Sequence, residues 1–320
     1  MDNPFKSPAV LSICPGILGI ERGLKRAGVN CRVAAYVEIE AFIIANLVAG
    51  MEAGLLDPTP IWTDAKTFDA RPFRGRIHAV TGGYPCTPFS LAGARSGENH
   101  SGHIYPSISG TIEATGPVWC FFENVDDHLT LGFDKVYQDL HRLGYSVETG
   151  IYTAEEVGAP HERERMFILA VANSDCYGYG AGTRKATGSG SQAESKAQRK
   201  EWNDLLRQWM WDVIRDSSKK VVNADIEGLE GFGMGEVGAG TKLPLSTRSG
   251  SNRFPARPGE QQYEWEEPRT IESGMGCTVN GYSFREDLLR SLGNSVVEQT
   301  AELAFIDLLK KHLVNLEKSI

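Results

Sequence analysis

Two prolines bracket a thiol in Gly82-Gly83-Tyr84-Pro85-Cys86-Thr87-Pro88-Phe89-Ser90, directly after the apolar run 77–81. A cysteine just past the carboxyl end of a sheet strand stands where α/β proteins carry their reacting groups. Fixed φ angles on both sides stiffen such a loop and aim the sulfur, which suits a nucleophile that must meet a ring carbon at close range. A packed, inert thiol is the commoner use of a free cysteine, but it needs neither two prolines nor a Gly-Gly approach. A second group follows in Phe121-Phe122-Glu123-Asn124-Val125, where an apolar strand delivers a carboxyl to the same sheet edge. Partial burial there would raise its pKa, and a protonated carboxyl can donate to a ring nitrogen, as a carboxylate cannot. The alternative is a cap on the next helix. Arg163 and Arg165 alternate just before the apolar run 166–171. Alternation turns both to one side of an extended segment, where they could hold a phosphate, a carboxylate or a carbonyl oxygen, or pair with Glu162 and Glu164 on the surface.

Three further motifs could hold a ligand. Ser12-Ile13-Cys14-Pro15-Gly16-Ile17-Leu18-Gly19-Ile20-Glu21 reads as a strand, a glycine-containing turn and a helix start, which turns backbone N–H groups toward a ligand. Such turns are common on their own. Glu38 follows about twenty positions later, at the end of a second strand, where a carboxylate can accept from ribose hydroxyls or simply face solvent. Asp64, after Ile61-Trp62, could approach an adenine amino group or cap a turn. Arg290-Ser291-Leu292-Gly293-Asn294-Ser295-Val296-Val297 contains a tight-turn signal whose amide and hydroxyl could bind a polar ligand, or could only open the last helix.

The elements that must position these groups alternate. Residues 9–14, 32–37, 77–81, 118–122 and 166–171 read as strands, and 20–27 and 41–48 as helices, the first stopped by Gly28. This order implies an α/β fold with a doubly wound, mostly parallel sheet. After Asn173 the pattern loosens. Residues 174–200 read as loop, 202–214 as a helix-compatible aromatic island, 228–240 as glycine-rich, and 248–269 as interleaved arginines and aromatics. Residues 286–311 read as a loop, the Gly293-Asn294 turn and an amphipathic helix that needs a sheet face to cover its apolar side. The expected organisation is a first domain at 1–172, an inserted module at 173–283 and a return segment at 284–320.

Composition sets outer limits. The 320 residues are 41% hydrophobic and 23% charged, with a mean hydropathy of -0.27, ordinary for a globular chain. No apolar run is long enough to span a bilayer, and the first residues carry no secretory pattern, so a cytoplasmic protein is expected. Six cysteines without a CxxC pair or nearby histidines argue against a zinc site or a disulfide framework. A net charge of -8 argues against non-specific coating of nucleic acid, but leaves room for one local basic cleft.

Taken in order, Pro85-Cys86, Glu123-Asn124-Val125, Arg163/Arg165 and Gly293-Asn294-Ser295-Val296 resemble the DNA cytosine-5 methyltransferase family, above all its compact prokaryotic or phage-type members. The resemblance implies a class I, Rossmann-like fold that binds S-adenosylmethionine and leaves S-adenosylhomocysteine. It implies transfer of a methyl group to C5 of a flipped cytosine through a covalent Cys86–C6 adduct, with Glu123 serving N3, Arg165 the base and the Cys86 region, and Arg163 the active-site loop. Gly16, Ile17, Glu38, Ile39, Asp64, Pro85, Asn294 and Val296 would line the cofactor site. The inserted module would recognise double-stranded DNA, with Ser90, Arg248, Arg253, Arg257 and Arg269 as contacts. The implied enzyme is a monomer without metal, in a prokaryotic or phage-infected cell. The chain departs from the family pattern at Cys14 (usually aromatic), Pro15 (usually small), Leu18 (usually glycine), Thr87 and His161 (usually glutamine) and Glu298 (usually proline). Two rivals share the fold: an RNA (tRNA) cytosine-5 methyltransferase and a non-catalytic DNA-binding regulator. A nucleotide-binding oxidoreductase would explain the glycine turn and Glu38, but not Cys86 or Glu123.

Overall fold

The computed structural model describes residues 4–85, 104–130, 132–173, 192–226 and 285–318. Seven strands form one sheet: β1 (Ala9–Ile13), β2 (Arg32–Val37), β3 (Ile61–Trp62), β4 (Ala79–Gly82), β5 (Trp119–Val125), β6 (Tyr145–Tyr152) and β7 (Arg165–Ala172), in the spatial order β3-β2-β1-β4-β5-β7-β6. All pairs are parallel except the two made by β7, which runs antiparallel to β5 and to β6. β1, β5 and β7 are almost continuously apolar because helices cover both faces of the sheet. β6 escapes a reading by hydrophobicity because it is an edge strand, half-exposed along Tyr-Ser-Val-Glu-Thr-Gly-Ile-Tyr.

One face carries α1 (Gly19–Arg26), α5 (Gln192–Ile226) and α7 (Glu298–Lys318), around Trp119, Phe121, Phe167, Trp209, Phe305 and Leu308. The other carries α3 (Tyr105–Thr115) and α4 (Phe133–Arg142), around Leu11, Ile108, Phe122, Leu140 and Ile168. α2 (Ala41–Glu52) packs Ile43 and Leu47 against Tyr36 and Leu18. α3 starts with a proline in its first turn and ends on Gly116 at φ 61, where left-handed backbone favours glycine.

Two parts of the sequence reading change. Residues 192–200, expected as loop, are helical, and the helix-compatible island 202–214 continues the same 35-residue α5. Its Leu206, Trp209, Met210, Val213 and Ile214 pack into the core of the sheet. Likewise residues 286–292, expected as loop, and Gly293-Asn294, expected as a turn, belong to α6 (Arg285–Asn294).

Candidate active site

The chain runs from β1 outward to β3, then returns to β4 on the other side of β1. A crevice therefore opens at the carboxyl ends of β1 and β4, the place where open α/β sheets bind ligands. The loop after β1 and the Gly82–Pro85 segment after β4 both leave the sheet there. Cys86 and Ser90 lie outside the described residues, as do Arg248, Arg253, Arg257 and Arg269. What leads to Cys86 is well fixed. Tyr84 is buried, its hydroxyl 2.9 Å from His128 Nε2, and its carbonyl accepts from Asn124 Nδ2 at 3.3 Å. Its ring lies against Tyr105, Phe122 and His128. The strand carrying Glu123 thus also anchors the residue two before the thiol.

Glu123 is 6% exposed. In the β5–β7 register Arg165 faces Val125, which makes it the diagonal neighbour of Glu123 on the same face. The pair closes with Arg165 Nε 2.9 Å from Glu123 Oε1. Burial pushes the Glu123 carboxyl up to about 7, against the opposing pull of Arg165 and then Arg163. A methyl group on Gly83 would stand 3.2 Å from Glu123 Oε2, so glycine lets the chain leading to Cys86 pass beside the carboxyl.

Arg163 does not join Arg165 on a common anion. Its Nη2 donates to the carbonyls of Gly293 at 2.7 Å and Ser295 at 2.6 Å, clamping the turn between α6 and α7 onto the start of β7. Arg165 instead turns to Glu123 and donates to its own neighbour's carbonyl, Glu164 O. The two side chains diverge, although alternation predicts a common side, because Arg163 precedes β7 and is not held by its pleat.

The loop after β1 is left-handed at Cys14 (φ 53), Gly16 (φ 52) and Leu18 (φ 67). Leu18 adopts by constraint the backbone that glycine adopts freely. Glu38 is buried, and its Oε1 accepts the Glu40 amide at 2.9 Å. Burial raises its pKa, opposed by hydrogen bonds from the amides of Glu40, Ile39 and Gly16, so this carboxyl joins β2 to the turn. Ile39 beside it is 67% exposed and Trp62 47%. Asp64 Oδ1 accepts the Lys66 amide at 2.8 Å. Pro85 and Asn294 are exposed, and the Val296 carbonyl packs directly on Gly19. A buried carboxylate beside a glycine turn, with apolar surface open at its side, is a donor set that fits a nucleoside. Ile17 packs toward Tyr36 and Ile43 and borders an open groove of about 850 Å³ between α1 and α2, which does not reach Glu123, Arg163 or Arg165. Among the described residues no group of His, Cys, Asp and Glu could hold a metal ion, and no helix is long and apolar enough to cross a membrane.

A family model described as C-5 cytosine-specific DNA methylase matches residues 9–234. The chain belongs to this family. The match starts at β1 and runs past the end of α5. A Type II methyltransferase, M.CviJI of Paramecium bursaria Chlorella virus IL3A, is 30% identical over 165 residues, which are 50% of this chain and 42% of the relative. An orphan methyltransferase of Bacillus phage rho11s, M.Rho11sI, is 27% identical over 169 residues, 51% of this chain and 32% of the relative. The chain therefore aligns with about half the length of its curated relatives, or less. Among solved structures, S. pombe Dnmt2 aligns over 52% of this chain and 51% of its own, with a TM-score of 0.44 and 22% identity. The Entamoeba histolytica methyltransferase EhMeth gives 0.42 and 17%, over 52% and 54%.

Two sets of groups around the candidate site are not legible in the sequence. Tyr84 and His128 carry no local signal, because their meeting depends on β4 and β5 being neighbours. Ser12, Glu21 and Thr81 converge in the same way: Ser12 Oγ donates to Glu21 Oε1 at 2.6 Å and Thr81 Oγ1 at 2.8 Å.

Proposed function

We propose that the protein is a DNA (cytosine-5-)-methyltransferase that attacks C6 of a flipped cytosine in double-stranded DNA with Cys86. The observation that carries this reading is the Glu123–Arg165 pair, buried beside the Gly83 backbone that leads to Cys86. In this reading the Cys86 sulfur bonds to C6 while Glu123 donates its proton to N3, so that the electron pair displaced from the C5–C6 bond makes C5 nucleophilic. S-adenosylmethionine, when bound, supplies an electrophilic methyl group, and Gly16, Ile17, Glu38, Ile39, Asp64, Pro85, Asn294 and Val296 would hold it. Loss of the C5 proton to water then re-forms the C5=C6 double bond and expels the Cys86 thiolate, and N3 returns its proton to Glu123. Arg165 holds Glu123 in place and faces the base, while Arg163 secures the turn that carries Asn294 and Val296.

The described thiols support the choice of Cys86. Burial, aided by Glu38, pushes Cys14 up to about 12, and burial raises Cys31 and Cys120 further still. None of the three is a thiolate near neutral pH, and the thiolate is the nucleophile. Ser90, Arg248, Arg253, Arg257 and Arg269 remain the proposed DNA contacts. The enzyme would act as a monomer, without metal, in the cytoplasm of a prokaryotic or phage-infected cell.

Bisulfite sequencing of double-stranded DNA exposed to the protein and S-adenosylmethionine tests this directly and reads out the recognition site. Cytosines protected at one sequence context are expected. Cys86→Ala should remove all protection while binding of S-adenosylhomocysteine stays within about threefold, since the sulfur is needed only for attack. Methylation that survives in the Ala variant would refute Cys86 as the nucleophile.

A further inference from the structure

Glu21 stands in the first turn of α1, immediately after the left-handed turn 14–18. One of its oxygens accepts from both Ser12 and Thr81, which face each other in the β1–β4 register. These two strands flank the crevice, and each leaves the sheet within a few residues: β1 toward Cys14, β4 toward Pro85. The other oxygen, Oε2, is buried with no hydrogen-bond partner. Burial accordingly raises the Glu21 pKa, against the two hydroxyls and the residue's own backbone amide. A carboxyl left half-satisfied costs stability that an apolar side chain of similar size would not, so stability alone is a poor account of its presence. The neighbouring turn supplies a better one. Two of its left-handed residues, Cys14 and Leu18, carry side chains, and such backbone persists only where the surroundings over-determine it. On the strand side the Cys14 amide is bonded to Val37 O at 2.8 Å. On the helix side Glu21 supplies the tie.

We propose that Glu21 is a positioning residue for the methyl donor, holding the Cys14–Leu18 turn in its binding shape by bonding the first turn of α1 to Ser12 and Thr81. This rests on the methyltransferase reading above. The donor turn then depends on Glu21, whereas the base-side groups Glu123 and Arg165 do not.

The experiment compares two readouts on the full chain. Calorimetric titration with S-adenosylhomocysteine measures the donor site, and release of tritium from C5 of cytosine in DNA without donor measures attack and proton transfer. Glu21→Leu is expected to weaken S-adenosylhomocysteine binding by about tenfold or more while tritium release falls by less than about twofold, and Glu21→Gln, which keeps an oxygen for both hydroxyls, to stay within about threefold on both. Binding by Glu21→Leu at the wild-type level, or equal loss of binding and tritium release, would overturn the proposal. Should Glu21→Leu fail to fold, Thr81→Val and Ser12→Ala carry the test: each deletes one hydroxyl and should weaken binding by about threefold, and unchanged binding in both would overturn it. A wild-type protein that binds S-adenosylhomocysteine without releasing tritium sinks the activity reading and leaves the comparison of affinities intact. One that does not bind it sinks both.

Discussion

At the scale of the residue, the proposed reaction turns on the protonation of Glu123. Its carboxyl is pushed up to about 7 because burial outweighs the attraction of Arg165 and Arg163. The protonated form, needed to donate to N3, is therefore present below that value and lost as pH rises through it. Methylation at saturating donor is expected to fall about tenfold per pH unit on the basic limb above 7, as the acid titrates away. Glu123→Gln should be slower by about a hundredfold or more and lose that limb, because an amide neither ionises there nor transfers a proton. A pH–rate profile of both proteins checks this; an unchanged limb in the Gln variant would assign the titration to another group. The same shift links to folding. The folded pKa lies above the ordinary 4.5, so ionisation opposes the fold and this group's contribution to stability falls as pH climbs from 4.5 to 7.

At the scale of the element, the site depends on how α7 docks. Gly19 and Gly23 let α1 lie directly on the start of α7, and a methyl group on Gly23 would stand 2.5 Å from Ala301 Cβ and 2.8 Å from Glu298 O. Around this contact Arg26 bridges to Glu302 at 2.9 Å and Glu298 at 3.4 Å. Glu298, where the family usually has proline, thus gains a partner and sits favourably in the first turn of its helix. Gly23→Ala has two opposed effects. Helix propensity favours alanine by up to about 1 kcal/mol, whereas overpacking costs about 1–3 kcal/mol. The obstructing atoms are backbone and a Cβ, which have no rotamer to change, so the clash should win. A net loss of about 1–2 kcal/mol is expected in urea unfolding, together with weaker S-adenosylhomocysteine binding, because the same helix start carries the Val296 turn. A neutral or stabilised variant would mean that α1 and α7 can separate freely.

At the scale of the whole molecule, α5 is part of the core that covers one face of the sheet. Trp209 is 4% exposed, stacked on Trp119 at 6.1 Å and close to Phe5 and Phe305. Trp209→Ala should cost about 3–5 kcal/mol in cooperative unfolding of the entire sheet, measured by urea denaturation followed by far-UV circular dichroism. If α5 belonged to a detachable module, the sheet would keep its midpoint. Legible in the chain alone are the strands that are apolar on both faces, the α/β class, the glycine turn after β1 and the positions of Glu123 and Arg165 at strand ends. These are legible because each is set by residues adjacent in the chain: an apolar run, a glycine turn, an alternation. Tertiary structure alone decided the antiparallel insertion of β7, the half-exposed edge strand β6, the divergence of Arg163 from Arg165, the packing of α5 and the meeting of Ser12, Thr81 and Glu21. Those features join residues brought together by strand order and helix packing, and their energies come from burial and hydrogen bonds between distant segments, which no local pattern encodes.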